Sequence, residues 1–399
     1  LYSAKTLDNI KNAAKYGISP NAEPSFDLPK IIARKQKTVR KLVAGIKQKM
    51  TAHDVEVINE EVYLLGEDSD KNILLGNNDK TYTAKKVLLC SGSETIIPPI
   101  KGLAESNYWT SKEALENKEV PESLAIIGGG VIGFEFASFF NSLGTKVSII
   151  EMLPEILGTM DKELSAMLRA EYAKKGIDFY LDTKVVAIEG DKVIIEKDGE
   201  KSSIQATKIL LSTGRRPITA NLNLDKFNIE MFRNGIKVNE YMQTSHPNIY
   251  ACGDVTGYSL LAHTAVREGE VAVNHIVGKD DRMSYKAIPG VVYTNPEIAG
   301  VGQTEEELTA KDIKYSVLKL PMAYSGRFVA ENEMGNGMCK LIISEDTKII
   351  GCHMLGNPAS ELIVIAGIAI EKEYTVDEFR KIVFPHPTVG EIIHESLFS

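Results

Sequence analysis

Ser123 to Gly133 reads SLAIIGGGVIG, and Thr145 to Ile150 reads TKVSII with Glu151 directly after it. Leu124 to Ile127 is an apolar run of strand length, and Phe134 to Leu143 carries a helical pattern. Gly128, Gly129, Gly130, Val131, Ile132 and Gly133 therefore fall at a strand-to-helix turn. Three of the glycines have separate tasks there. Gly128 permits the tight turn, Gly130 lets the backbone approach a pyrophosphate, and Gly133 lets helix and strand pack closely. The open helix N-terminus offers N–H groups and partial positive charge to phosphates. Glu151 ends the second strand about 20 residues further on, where a carboxylate can accept both hydroxyls of an adenosine ribose. A 2'-phosphate would be repelled, and Met152, Leu153 and Pro154 supply no arginine to receive one. The stretch predicts a dinucleotide site with NAD favoured over NADP.

The rest of the chain sets bounds on that reading. Its 399 residues exceed one ordinary core, so two or three domains are expected. With 46 basic against 54 acidic residues the net charge is -8, which argues against nucleic acid or an anionic membrane as partner. No apolar run approaches the roughly 20 residues of a membrane span. Cys90, Cys252, Cys339 and Cys352 show neither CxxC nor CxxxxC spacing. No zinc site or local redox disulfide can be read from them, and all four are expected to be buried small hydrophobes in a cytoplasmic protein without a metal. The chain opens on Leu1 rather than Met, and a lost front segment is the expectation.

Residues 1–16 carry a helical pattern that stops at Gly17, and a longer helix is expected from Leu28 to Met50 with a basic, solvated outer face. Short strands follow from Val55, ending in KKVLLCSGS, and Pro98 and Pro99 mark a linker. Further helices are expected at Lys162–Lys175 and Ala262–Val277. From about Met283 a separate module begins, ending in a Pro-His-Pro turn and a short helix.

NIYACGD is an apolar strand that places Asp254 at the carboxyl edge of a sheet, where ligands of α/β folds bind. An acid there could equally cap the next helix. Its surroundings decide between these. ACGDVTGYSLLAHTAVREG, with CSGSETIIPPIKG and STGRRPIT before it, resembles the flavin-side signature of the two-dinucleotide-binding flavoprotein disulfide reductases. The resemblance implies an α/β fold with two Rossmann-like nucleotide-binding domains, the FAD domain incomplete at its N-terminus, and an α+β C-terminal dimerisation domain. It assigns 1–98 and 226–283 to the FAD side, 99–225 to NAD and 284–399 to the interface, where VVYTNPEIAGVGQTEEEL is similar to that family's segment.

Site roles follow residue by residue from the same resemblance. Asp254 of the Gly253-Asp254 pair would hydrogen-bond the FAD ribityl chain, and Leu260, Leu261, Ala262 and His263 would lie along the isoalloxazine. Ser91, Gly92 and Ser93 would touch FAD, and Gly214 would belong to the NAD cleft. Glu135 would sit beside the flavin, paired with a lysine. By itself it reads as an acid favoured by the helix dipole.

FPHPTVGEIIHES resembles the family's HPTxxE motif, which makes His386 the catalytic base and Glu391 its carboxylate partner. Pro387 is expected at the first helical position, with His386 just before the helix and Glu391 one turn on. Phe384 replaces a histidine usual in the family. The implied activity is oxidation of dihydrolipoamide, borne on a lipoyl carrier, by NAD through FAD and a redox disulfide. The partners implied are a second copy in a homodimer and a 2-oxoacid dehydrogenase complex. The family's first glycine-rich loop, its CxxxxC pair and the lysine facing Glu135 are absent from this chain. Mercuric reductase, a pyridine nucleotide transhydrogenase and a non-catalytic scaffold are the alternatives.

Overall fold

Strand Ser123–Ile127 is buried on both faces, as a central strand of a parallel sheet must be. The computed structural model, which describes residues 1–332 and 335–399, places it in a five-stranded parallel sheet. The order is Tyr108–Trp109, Lys208–Leu211, Ser123–Ile127, Lys146–Ile150, Asp178–Tyr180. The period of two sorts the side chains. Leu124 and Ile126 join Phe134, Ala137 and Phe140 of helix Val131–Ser142 and Leu168 and Tyr172 of helix Lys162–Lys174 in one core. Ala125 and Ile127 join Ile188, Val193, Ile195 and Ile204 in another. These last come from an antiparallel meander, Lys184–Glu189, Lys192–Lys197 and Glu200–Gln205.

This sheet belongs to one of two compact units, which comprises 1–35, 97–213 and 286–399. The same unit contains a five-stranded antiparallel sheet, ordered Gly290–Val292, Ile298–Gly302, Ile349–Leu355, Met338–Ser344, Tyr315–Pro321. Ala366 and Ile363 of helix Ala359–Glu371 are buried in its core together with Ile392, Ile393 and Leu397.

The second unit comprises 36–96 and 214–285. It holds a meander, Tyr63–Glu67, Ile73–Gly76 and Thr81–Ala84, and a parallel pair, Val87–Leu89 with Ile249–Ala251. Leu64, Ile73, Val87, Leu89, Ile249 and Val255 share its core.

Two helices differ from expectation. The N-terminal pattern splits into helix Tyr2–Lys11 and a 3₁₀ turn Ala13–Tyr16, closed by Gly17 in the left-handed region. Helix Leu28–Ala52 exposes Val39, Leu42, Val43 and Ile46 beside its lysines, so the basic residues do not mark a purely polar face. No described helix is long and apolar enough to cross a membrane.

Candidate functional site

The glycine turn is fixed by its packing. Gly128 has φ +104°, and a Cβ there would stand 2.5 Å from the Ser212 carbonyl oxygen. A Cβ on Gly133 would overlap the Gly128 oxygen and Ser212 Oγ, which are themselves joined by a 2.7 Å hydrogen bond. Gly130 is different: a Cβ on it would meet nothing within 4 Å. It caps the helix in extended conformation with no side-chain acceptor, so open space lies over the first-turn N–H groups. That is a cradle of the kind a pyrophosphate needs.

Glu151 closes this turn rather than standing free. Its Oε2 accepts the Gly129 N–H at 2.7 Å and its Oε1 accepts the Leu153 N–H at 2.8 Å. Each oxygen keeps a second lone pair, so the carboxylate can still take ribose hydroxyls from a position held by its own loop. Met152 and Leu153 beside it are exposed.

Glu135, one turn into the helix, accepts the Tyr293 N–H at 2.9 Å. Together with Ile31, Ile132, Phe136 and Phe139 it lines a cavity of about 370 Å³. Burial raises its pKa, against the pull of the Tyr293 N–H. An acid placed only to please the helix dipole would be solvated, so this one is set against an apolar space.

In the second unit, Ser93 Oγ donates to Asp254 Oδ2 at 2.5 Å. Arg215 Nε donates to Ser93 Oγ at 2.7 Å and its Nη2 to the Ser93 carbonyl at 2.6 Å. Strand Arg215–Pro217 pairs with Ser93–Thr95, the Ile96 N–H reaches the Gly214 carbonyl, and Ser91 Oγ reaches the Ile218 carbonyl. Gly92 and Gly214 take positive φ at the two ends of this clasp. The capping alternative for Asp254 fails. It lies in the 3₁₀ turn Gly253–Thr256, whereas helix Ala262–Ile276 begins after Leu261 with no side-chain cap. Of the run Leu260 to His263, Leu260, Ala262 and His263 are exposed and Leu261 is partly buried.

Besides Tyr285, sequence reading missed two members of this group. Glu268 is fully buried, with Oε2 accepting the Gly253 N–H at 2.6 Å and Oε1 accepting the Tyr285 hydroxyl at 2.7 Å. Burial raises its pKa and outweighs both hydrogen bonds. Arg215 was the other. RRP was legible as a motif, but which arginine turns onto Ser93 was not.

His386 Nδ1 lies 2.8 Å from Glu391 Oε1, while its ring is 82% exposed. The expected route to that contact was wrong. Helix Glu391–Glu395 starts only at Glu391, so Pro387 is not its first residue and Glu391 is not a turn beyond His386 on one helix. A loop brings the pair together, held by the Thr388 N–H on Glu391 Oε2 at 2.8 Å. That N–H, and then His386, lower the Glu391 pKa. An ionised Glu391 accepts from Nδ1–H and leaves Nε2 as the basic atom facing solvent. Phe384 packs its ring near those of Phe379 and His394. Of the cysteines, Cys252, Cys339 and Cys352 are buried, but Cys90 is exposed, contrary to expectation.

Residues 4–269 match the pyridine nucleotide-disulphide oxidoreductase family, and 288–397 match its dimerisation domain. Curated relatives include the dihydrolipoyl dehydrogenase of Thermus scotoductus, 35% identical over 99% of this chain and 86% of the relative. That of Mycoplasma pneumoniae is 34% identical over 98% and 86%. Among solved structures, LpdA from Mycobacterium tuberculosis superposes with a TM-score of 0.89 at 24% identity, covering 100% of this chain and 87% of that one. The flavoprotein disulfide reductase RclA from Escherichia coli gives 0.82 at 24% identity, covering 99% and 88%.

Proposed function

Because this chain belongs to the pyridine nucleotide-disulphide oxidoreductase family, we propose that it is a dihydrolipoyl dehydrogenase, oxidising dihydrolipoamide with NAD as final acceptor. FAD and NAD, when bound, supply the two-electron transfers. The chain's own residues bind, orient and move a proton. Gly128 to Gly133 cradle the pyrophosphate of NAD and Glu151 takes the ribose. Ser91 to Ser93, Gly253, Asp254 and the run Leu260 to His263 hold the flavin side, with Glu135 on the nicotinamide-side helix and Gly214 at the NAD cleft. Segments 1–98 and 226–283 form the FAD side, 99–225 the NAD side and 284–399 the interface of a homodimer.

The observation that carries the reading is the His386–Glu391 pair. An exposed imidazole whose Nδ1 is held by a carboxylate has a fixed tautomer with Nε2 free to accept, which is what a base taking a proton from a thiol requires. In the homodimer that thiol would be presented at the other subunit, on a lipoyl carrier of a 2-oxoacid dehydrogenase complex in the cytoplasm.

His386→Gln tests it. Dihydrolipoamide-dependent NAD reduction should fall about 10²–10⁴-fold while NAD affinity stays within twofold. Equal losses in both would mean that the ring holds structure and no proton.

A further inference from the structure

Cys90 and Cys252 are 162 residues apart in sequence, yet their sulfurs lie 3.4 Å apart. The fold explains the approach. Strands Val87–Leu89 and Ile249–Ala251 run parallel with Leu89 opposite Ala251, and the Cys252 N–H donates to the Leu89 carbonyl. The next residue on each strand is a cysteine. Adjacent strands stand roughly 4.8 Å apart, inside the Cα separation of about 4.4–6.8 Å that a disulfide spans. The pair can close with little movement of the backbone.

The two sulfurs are not equivalent. Cys90 is exposed and Cys252 is buried. The hydrogen bond from Cys252 lowers the Cys90 pKa, while the same contact, with burial, raises that of Cys252. This is the asymmetry of an attacking thiolate with a resolving thiol behind it. The other two cysteines, Cys339 and Cys352, are fully buried in the antiparallel sheet, where an oxidant in solution has no access.

We propose that Cys90 and Cys252 form an oxidation site, at which a hydroperoxide converts two thiols to a disulfide and a small dithiol restores them. The Cys90 thiolate attacks the peroxide oxygen, the O–O bond breaks, and the leaving alkoxide takes a proton to become the alcohol. Cys90 is then a sulfenic acid. The Cys252 sulfur attacks the Cys90 sulfur, forming the S–S bond and expelling hydroxide, which takes the Cys252 proton and leaves as water. The protein loses two electrons and two protons, and the hydroperoxide is reduced to alcohol and water. A dithiol such as dithiothreitol reverses this by exchange and ends as its own cyclic disulfide.

The staple falls at a consequential place. Cys90 directly precedes the Ser91-Gly92-Ser93 turn and Cys252 directly precedes Gly253-Asp254, so the bond ties together the two chain segments whose side chains meet at Ser93 and Asp254. Closing it should hold that contact and slow the release of bound FAD, a consequence that rests on the flavin reading above.

The test is peptide mapping of the full chain by mass spectrometry under non-reducing conditions, after treatment with hydrogen peroxide. The expected result is a Cys90–Cys252 crosslink that dithiothreitol removes, with Cys339 and Cys352 still alkylatable after unfolding. In Cys252→Ser, Cys90 should pass on to sulfinic acid instead. Peroxide that leaves both thiols free, or that oxidises Cys90 irreversibly with Cys252 present, would overturn the proposal. FAD release is followed separately by fluorescence in oxidised and reduced protein. A crosslink with no change in release would leave the oxidation site standing and refute its link to the flavin.

Discussion

The turn at Gly128–Glu151 and the clasp around Asp254, both proposed to hold a dinucleotide, are opposite constructions. The first is one contiguous stretch. Its strand, turn and helix follow one another, and even Glu151 is held by backbone groups of neighbouring loops. The second gathers Ser93, Arg215, Asp254, Glu268 and Tyr285 from separate segments, and the two that touch most closely are 161 positions apart in sequence. Its side chains orient one another, whereas the turn depends on the absence of side chains. Loss of a side chain should therefore damage the clasp, and gain of one should damage the turn.

Asp254→Ala is the sharpest way to break this contrast. It removes the acceptor for Ser93 and for a ligand hydroxyl, and a hydrogen bond to a charged group contributes about 1.5–3 kcal/mol. FAD affinity should weaken about 10–100-fold, with NAD affinity unchanged, both measured by equilibrium titration. If both ligands weaken alike, the two constructions are not independent.

Glu268→Gln has a smaller effect that depends on pH. The folded protein holds the Glu268 proton more tightly than the unfolded chain, whose value is near 4.5. As pH rises past 4.5 the unfolded chain ionises first and is favoured, so stability falls until the folded pKa is passed and then levels. In Glu268→Gln that decline should be missing from urea-unfolding midpoints measured across the range. Parallel profiles for the two proteins would mean that Glu268 is ionised in the fold at no cost.

The same contrast explains what could be read from sequence. Strand, glycine turn and helix at 123–142 were legible because each signal is local, and the largest change was the helix start, which moved from Phe134 to Val131 once Gly130 took the cap position. Around Asp254 the motif was legible through its resemblance, but Glu268 was not: nothing in REGE says that this acid turns inward to the Gly253 N–H. His386 and Glu391 were paired correctly from motif and wrongly from geometry, since a loop rather than a helical turn joins them. Cys90 was misjudged because burial was assigned by residue type: Cys90 and Cys252 each follow directly on a strand, yet one is exposed and the other buried, a difference set by tertiary surroundings that residue type does not encode.

We propose that a nicotinamide held by the glycine turn exchanges electrons with a flavin held at Asp254. Anaerobic mixing of the FAD-loaded protein with NADH, followed at the visible flavin band, tests this in wild type and in Gly133→Ala. The added Cβ would overlap the Gly128 oxygen and Ser212 Oγ, a strain of about 1–3 kcal/mol placed on the turn alone. The expected result is rapid bleaching in wild type and, in the variant, retained FAD with bleaching that requires at least tenfold more NADH. Bleaching of both proteins at the same NADH concentration would place the nicotinamide away from the glycine turn.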